Sequence, residues 1–272
     1  MGAAVRVWSR WMSLAVLWPG VMAWGQVGSP QETVATLLAH ERAATEHKGM
    51  YEYVARERSD RTGGHVWTER VVETKEGKVR MLLAEDGVPL SAERVGQERG
   101  RLAQIVADPG AFAKKEQVLK NDEAKAKQML ELLPKAFLFE HARMEGAYER
   151  IEFRPNPAYQ PQGLEERVLH AMVGSMLVDL KEVRLRELEG HLPEDVSIGF
   201  GFLATIHAGS RFRTERGRQE SGEWKTTLID TDIKGRAIFF KTISRSQHTE
   251  RAEFREIAGD TSVVQAVAMA ER

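Results

Sequence analysis

The sequence predicts an α+β protein, mainly β, built on a strongly curved antiparallel sheet. We expect a half-barrel of about eleven strands with helices covering its concave face. Three observations predict it. From residue 136 to 257, short runs of alternating apolar and polar residues are separated by turn-like pairs such as Glu145-Gly146 and Ser221-Gly222. Two stretches, 29–46 and 89–134, carry helical spacing instead. Finally, eleven strands ~4.8 Å apart would span ~50 Å, and twisted open sheets of that width curl.

The elements follow in order. Residues 1–25 read as a secretory signal peptide: Arg6 and Arg10, an apolar run from Trp11 to Val21, then Ala23-Trp24-Gly25 before a cleavage point. Ser29-Pro30-Gln31-Glu32 is a capping box with proline at the first helical position. Val34, Leu37, Leu38 and Glu41 follow at helical spacing, so the apolar stripe is narrow and the helix lies on a surface. It should end near Glu46, with Gly49 as cap. Met50–Ser59, Val66–Glu73 and Val79–Glu85 alternate as three antiparallel strands.

Residues 89–134 form a helical insertion. Val95, Leu102, Ile105 and Val106 make one stripe. Asp108-Pro109 opens a second helix, whose stripe is Phe112, Leu119, Ala126, Met129, Leu130 and Leu133, and Pro134 should end it. Its lysines are interleaved with acids, which reads as a solvated face. Extended segments follow near 137–145, 148–154, 166–178, 182–189, 195–208, 210–219, 223–231, 236–246 and 248–257. Lys234-Gly235 is expected to be a turn, and the tail 258–272 has no assignment. One half-barrel domain thus occupies 26–257.

Composition excludes several classes. A 42% apolar share suffices for a core. Cleavage would leave 37 basic and 40 acidic residues, which gives no reason to expect a nucleic-acid partner. With no Cys there is no disulfide, thiol nucleophile or Cys-ligated metal. An exported chain without disulfides must rely on its core.

The run 195–208 is the most informative. Read as one strand, it puts Val196, Ile198, Phe200, Phe202, Ala204 and Ile206 on one face, and Ser197, Gly199, Gly201, Leu203, Thr205 and His207 on the other. With Met172, Trp224 and Leu228, the residues Val196, Ile198, Phe200, Phe202 and Ile206 are the candidate wall of an apolar ligand cavity. An ordinary core strand with a bend at its glycines explains the pattern equally well. Gly199-Phe-Gly201-Phe-Leu-Ala204 also fits a dinucleotide fingerprint, but no helix follows it. Asp230-Thr-Asp232-Ile-Lys-Gly235 begins like a calcium loop, then has Lys at its fifth and twelfth positions. His40 and His47 stand ~10.5 Å apart along their helix, too far for one zinc. No catalytic residue, metal ligand or cofactor is expected.

The order of features from Phe153 onward resembles bacterial outer-membrane lipoprotein-sorting proteins, the superfamily of the periplasmic lipoprotein carrier. It rests on Phe153-Arg-Pro, Gly163, the Arg167 to Asp179 stretch containing Gly174, Leu185–Leu192, the Gly-Phe-Gly run, Gly209-Ser-Arg-Phe212 and Trp224. The resemblance implies a half-barrel with helices as a lid over an apolar cavity, to be sought beneath residues 91–133. It implies a periplasmic, non-enzymatic carrier of a lipid or acylated lipoprotein, with inner- and outer-membrane proteins as possible partners. The family's cavity arginine has three equally eligible counterparts, Arg56, Arg58 and Arg70. The alternatives are an envelope interaction or stress-sensing module on the same fold and, third, an exported hydrolase with a dispersed site.

Overall fold

The computed structural model describes residues 29–46, 48–198, 204–237 and 241–272. The signal-peptide reading, Phe200 and Phe202 lie outside the described residues. The helices are α1 (Pro30–Glu46), α2 (Ala92–Ala107), α3 (Pro109–Ala136), α4 (Leu164–His170) and α5 (Val263–Ala270). The strands begin with β1 (Met50–Ser59), β2 (Trp67–Glu73), β3 (Lys78–Glu85) and β4 (Val88–Pro89). They continue with β5 (Phe137–Glu145), β6 (Tyr148–Pro155), β7 (Val173–Asp179), β8 (Arg184–His191), β9 (Val196–Ile198) and β10 (Ala204–Ile206). The last are β11 (Arg211–Arg218), β12 (Trp224–Ala237) and β13 (Lys241–Ile257).

All thirteen described strands belong to one antiparallel sheet, curved and open, ordered β4-β3-β2-β1-β13-β12-β11-β8-β7-β6-β5. The β9–β10 hairpin joins it through β12. The architecture is the α+β, mainly β, half-barrel type read from the sequence. The first three strands and the two insertion helices fall where the pattern put them. The Ser29 box forms, with Glu32 accepting from Ser29 N at 2.9 Å, and Asp108 caps α3 through Ala111 N at 2.9 Å.

Four expectations change, and the unassigned tail gains a helix. The run 195–208 is not one strand: β9 and β10 pair antiparallel, with Val196 opposite Ile206. Period-two alternation persists in both arms of a hairpin, so the pattern alone does not reveal a reversal. The first five residues of the expected 166–178 strand, 166–170, belong to α4, which has acids in its first turn and Arg167 and His170 in its last, matching the helix dipole. β12 runs through Lys234-Gly235, because a Cβ at Gly235 would lie 2.5 Å from the Thr205 carbonyl; this glycine serves strand approach. Pro134 does not end α3: it lies inside the helix, which runs on to Ala136. The tail forms α5, capped by Ser262 and Gln265.

Curvature has an identifiable source. Phe153, Gly174, Gly190 and Phe212 stand in one register row across β6, β7, β8 and β11. A Cβ at Gly174 would lie 2.0 Å from the Glu189 carbonyl oxygen and 2.7 Å from the Phe153 ring, and one at Gly190 2.8 Å from Phe212. Two paired glycines let the strands bend together, and the flanking rings refill the space.

The β3 edge is masked by the insertion. Lys78 N donates to Glu116 at 2.9 Å, Leu82 N donates to Glu98 at 3.2 Å, and Arg101 reaches the Arg80 carbonyl at 2.5 Å. Side chains thus occupy backbone groups that would otherwise template another strand. α5 buries Val263, Ala266, Val267 and Ala270 with Val72, Val79, Met81 and Leu102.

Gly174→Ala should lower unfolding stability by ~1–3 kcal/mol, because the nearest obstacle is backbone. Urea denaturation would read it; an unchanged midpoint would contradict this account of the bend.

Candidate functional site

Register sorts the β6–β12 faces. Ile151, Met176, Leu188, Thr214 and Ile229 form one row. Its neighbour is Glu152, Ser175, Glu189, Arg213 and Asp230. One face is therefore apolar and the other charged.

The apolar face is the floor of the candidate site. Phe137, Phe139, Ile151, Phe153, Met176, Val178 and Leu188 form a buried cluster with Val34 and Leu37 of α1 and Leu133 and Ala136 of α3. Leu38 packs against its rim. The narrow stripe read from the sequence is the part of α1 that is buried: Val34 is 0% exposed and Leu37 2%.

The next position of that stripe is an acid. Glu41 accepts from Arg184 Nε at 2.8 Å and from Arg184 Nη2 at 3.3 Å, and Arg216 Nη1 closes on its other side. Leu185 N adds a donor at 3.4 Å. Both guanidiniums are largely sheltered, their side chains 14% and 19% exposed. Burial pushes the Glu41 carboxyl up, but Arg184 and Arg216 outweigh it and hold the group below its ordinary range.

Other bonds fasten α1 nearby. Gln31 donates to the Pro134 carbonyl at 3.1 Å, and His40 Nδ1 meets the Glu182 carbonyl at 3.1 Å. Glu182 accepts from Trp224 Nε1 at 2.8 Å and pairs with Arg218 at 2.8 Å. Where α1 leads into β1, Lys225 Nζ lies 3.7 Å from the Tyr51 ring centroid and 2.8 Å from Glu223. Burial lowers the Lys225 ammonium, and Glu223 offsets part of that. Tyr51 Oη meets Ser221 Oγ at 2.6 Å.

Of the residues singled out in the sequence, Met172, Val196 and Ile206 do meet, with Leu192, in a small separate cluster. Ile198 pairs with Ala204 on β10. Trp224 is buried in the polar knot beside Glu182. Leu228 is half-buried on the charged face, paired with Glu215 and Glu250. Among the described ones, the cluster of Met172, Val196 and Ile206 is separate from the surroundings of Trp224 and of Leu228. Arg56 and Arg58 are exposed, and Arg70 reaches the Ala270 carbonyl at 3.2 Å.

Two surface depressions among the described residues lie away from α2 and α3. The larger, ~960 Å³, opens between Arg150, Glu187, Glu189, Arg211, Arg213 and Asp230. Its central charges satisfy one another: Arg150 binds Glu145, Glu187 and Ser175, while Arg213 binds Glu187 and Glu215. Arg150 and Arg143 hold Glu145 down at about 2. Such a groove has little unmet demand for a ligand. The smaller, ~540 Å³, lies beside Gln219, Glu253 and Arg255.

Two buried polar atoms among the described residues lack a partner, Trp67 Nε1 and Glu149 Oε2. The other Glu149 oxygen pairs with His141 Nδ1. Glu149 alternates with Ile151 on β6, so it faces the apolar side. Sequence reasoning missed Arg184, Arg216 and Glu149. The available signal was Glu41, an acid at a position whose spacing places it on the buried side of α1.

Comparisons with family models, curated proteins and solved structures find no match. The fold and site define only a class: an open curved sheet with a helix held on its apolar floor by a two-arginine clasp.

Glu41→Gln should cost about 2 kcal/mol and raise hydrogen exchange along α1 before the sheet. The depressed carboxyl contributes stability above its unfolded value of ~4.3. That contribution is lost as pH falls through the lower folded value. In acid denaturation, the wild-type advantage over Glu41→Gln should therefore begin to shrink as pH falls below about 4.3 and vanish only below the lower folded value; a constant gap would contradict the clasp.

Proposed function

We propose that the protein is a non-enzymatic binding protein of the cell envelope, exported to the periplasm, that carries a lipidic or lipoprotein acyl group beneath α1. The supporting observation is the apolar floor of Phe137, Ile151, Met176 and Leu188 under a helix that contributes only Val34, Leu37 and the rim residue Leu38. With α1 seated that space is filled, so a ligand would have to displace the helix.

The magnitudes permit this. Val34 and Leu37 are worth ~1.5–3 kcal/mol each on burial, and the partly buried Leu38 less. A ~14-carbon chain gains ~11 kcal/mol on leaving water at ~0.8 kcal/mol per CH₂. Its exchange with a bilayer is near neutral, since both environments are apolar. A carrier needs that balance to load and unload, at membranes or at inner- and outer-membrane partner proteins.

The filled interior also favours a second reading, an envelope interaction or stress-sensing module in which α1 stays seated and outer surfaces recruit a protein. The two readings separate experimentally. Native mass spectrometry of gently purified protein should show bound lipid, and a fluorescent fatty acid should bind with raised exchange in α1. Lipid-free preparations, no probe binding and a stoichiometric protein crosslinked in cells would replace carriage with the second reading.

A further inference from the structure

We propose that Arg184 and Arg216 form an anionic head-group site, held shut by Glu41 of α1, and that the ligand is an anionic amphiphile. The inference rests on the acyl-carriage reading and deepens it by naming the head group.

The argument starts from what is left when α1 leaves. The sheet keeps Arg184 and Arg216, two sheltered guanidiniums aimed at the place where one carboxylate had been. Arg186 stands close by, donating to the Arg216 carbonyl. Of the acids nearby, Glu182 is committed to Arg218 and Trp224, and Asp179, across from Arg184 in register, accepts from the Lys181 and Glu182 amides. Removing Glu41 therefore leaves an unbalanced positive pair beside an apolar floor. Breaking a sheltered ion pair by removing one partner is strongly unfavourable, because the other is left uncompensated. A neutral lipid could refill the floor but would leave that pair bare. A carboxylate or phosphate on an acyl chain satisfies both at once, and the arginine fork suits either anion.

Position supports the assignment. Leu185, next to Arg184, and Leu188, on the same strand, both belong to the floor cluster. An anion on the arginines thus starts where the apolar surface starts, which is the layout of a fatty acid or a phosphate-headed lipid. Glu41 is the internal stand-in for that head group, and Val34, Leu37 and Leu38 stand in for its chain.

The test uses the full mature chain and two probes with the same tail-linked dye, a long-chain fatty acid and the matching long-chain alcohol, near pH 7.5. The wild type should bind the acid at least tenfold more tightly than the alcohol. Glu41→Gln, which removes the internal competitor, should tighten the acid about tenfold. Arg216→Gln should abolish the preference, and Arg216→Lys, which keeps the charge without the fork, should retain part of it. Thermal melts confirm that each variant is folded; Arg216→Lys serves alone if Arg216→Gln is not. Equal binding of acid and alcohol by wild type and Glu41→Gln overturns the head-group site and leaves acyl carriage standing. Binding of neither probe by either protein overturns carriage, and this inference with it. Millimolar inorganic phosphate should not displace the acid; if it does so fully, the site takes a small free anion and the amphiphile assignment fails.

Discussion

The bend across β6, β7, β8 and β11 is the constraint on which the rest depends. Gly174 and Gly190 face each other in register, and no side chain larger than hydrogen fits at Gly174 without moving the Glu189 backbone. A flat sheet of this width would expose its apolar rows to water. The bend draws those rows around α1, so a helix with a narrow stripe suffices to cover them. Phe153 and Phe212 bring rings into the missing volume while the backbones stay close. Curvature, core and helix seat are thus consequences of one local packing arrangement.

An open sheet must also manage two edges. At β3 the insertion does so with Glu98, Arg101 and Glu116, whose side chains occupy the outward-facing backbone groups. Glu116 reaches that position because Gly77 leaves room: a Cβ there would lie 2.2 Å from the Glu116 side chain. At β5 the devices are charge and irregularity. Glu140 and Arg143 are exposed, and the ladder shifts between His141 and Arg143. Bulges and charges of this kind discourage strand addition.

Much of the fold was legible because its elements are locally encoded. Ser29–Glu32 and Asp108-Pro109 announce helix starts through cap chemistry that needs no tertiary context. Strands β1 to β3 alternate cleanly between turns. What the sequence hid was direction and partnership. The 195–208 run has the same parity as one strand or as two arms of a hairpin, so its apolar residues looked like one wall. Gly235 has the composition of a turn and serves a close strand contact. The candidate site was least legible. Its arginines lie on different strands in a chain rich in alternating charge, and only register shows that Arg216 faces α1 while Arg213 and Glu215 face away. Glu41 alone carried a local sign, as an acid on an otherwise apolar stripe.

The two covering helices play different parts, which decides whether α1 can leave without unfolding the sheet. α3 is 28 residues long, ~42 Å at 1.5 Å per residue. Phe112 and Glu116 anchor its start at β3, and Leu133 and Ala136 anchor its end at β5. Between them Val118, Leu119 and Asn121 are exposed, so the middle spans solvent with little packing. Leu119 belongs to the expected apolar stripe and is nevertheless 47% exposed, so water reaches that side of the helix. A helix anchored at both ends ties the two edge regions together. α1 bridges no such distance; its attachments include a short apolar stripe, the Gln31 and His40 contacts to backbone carbonyls, the arginine clasp and an exposed Arg42–Glu131 pair at 3.8 Å to α3. The attachments of α3 at β3 and the glycine row do not involve α1, so the proposed displacement of α1 would leave both in place.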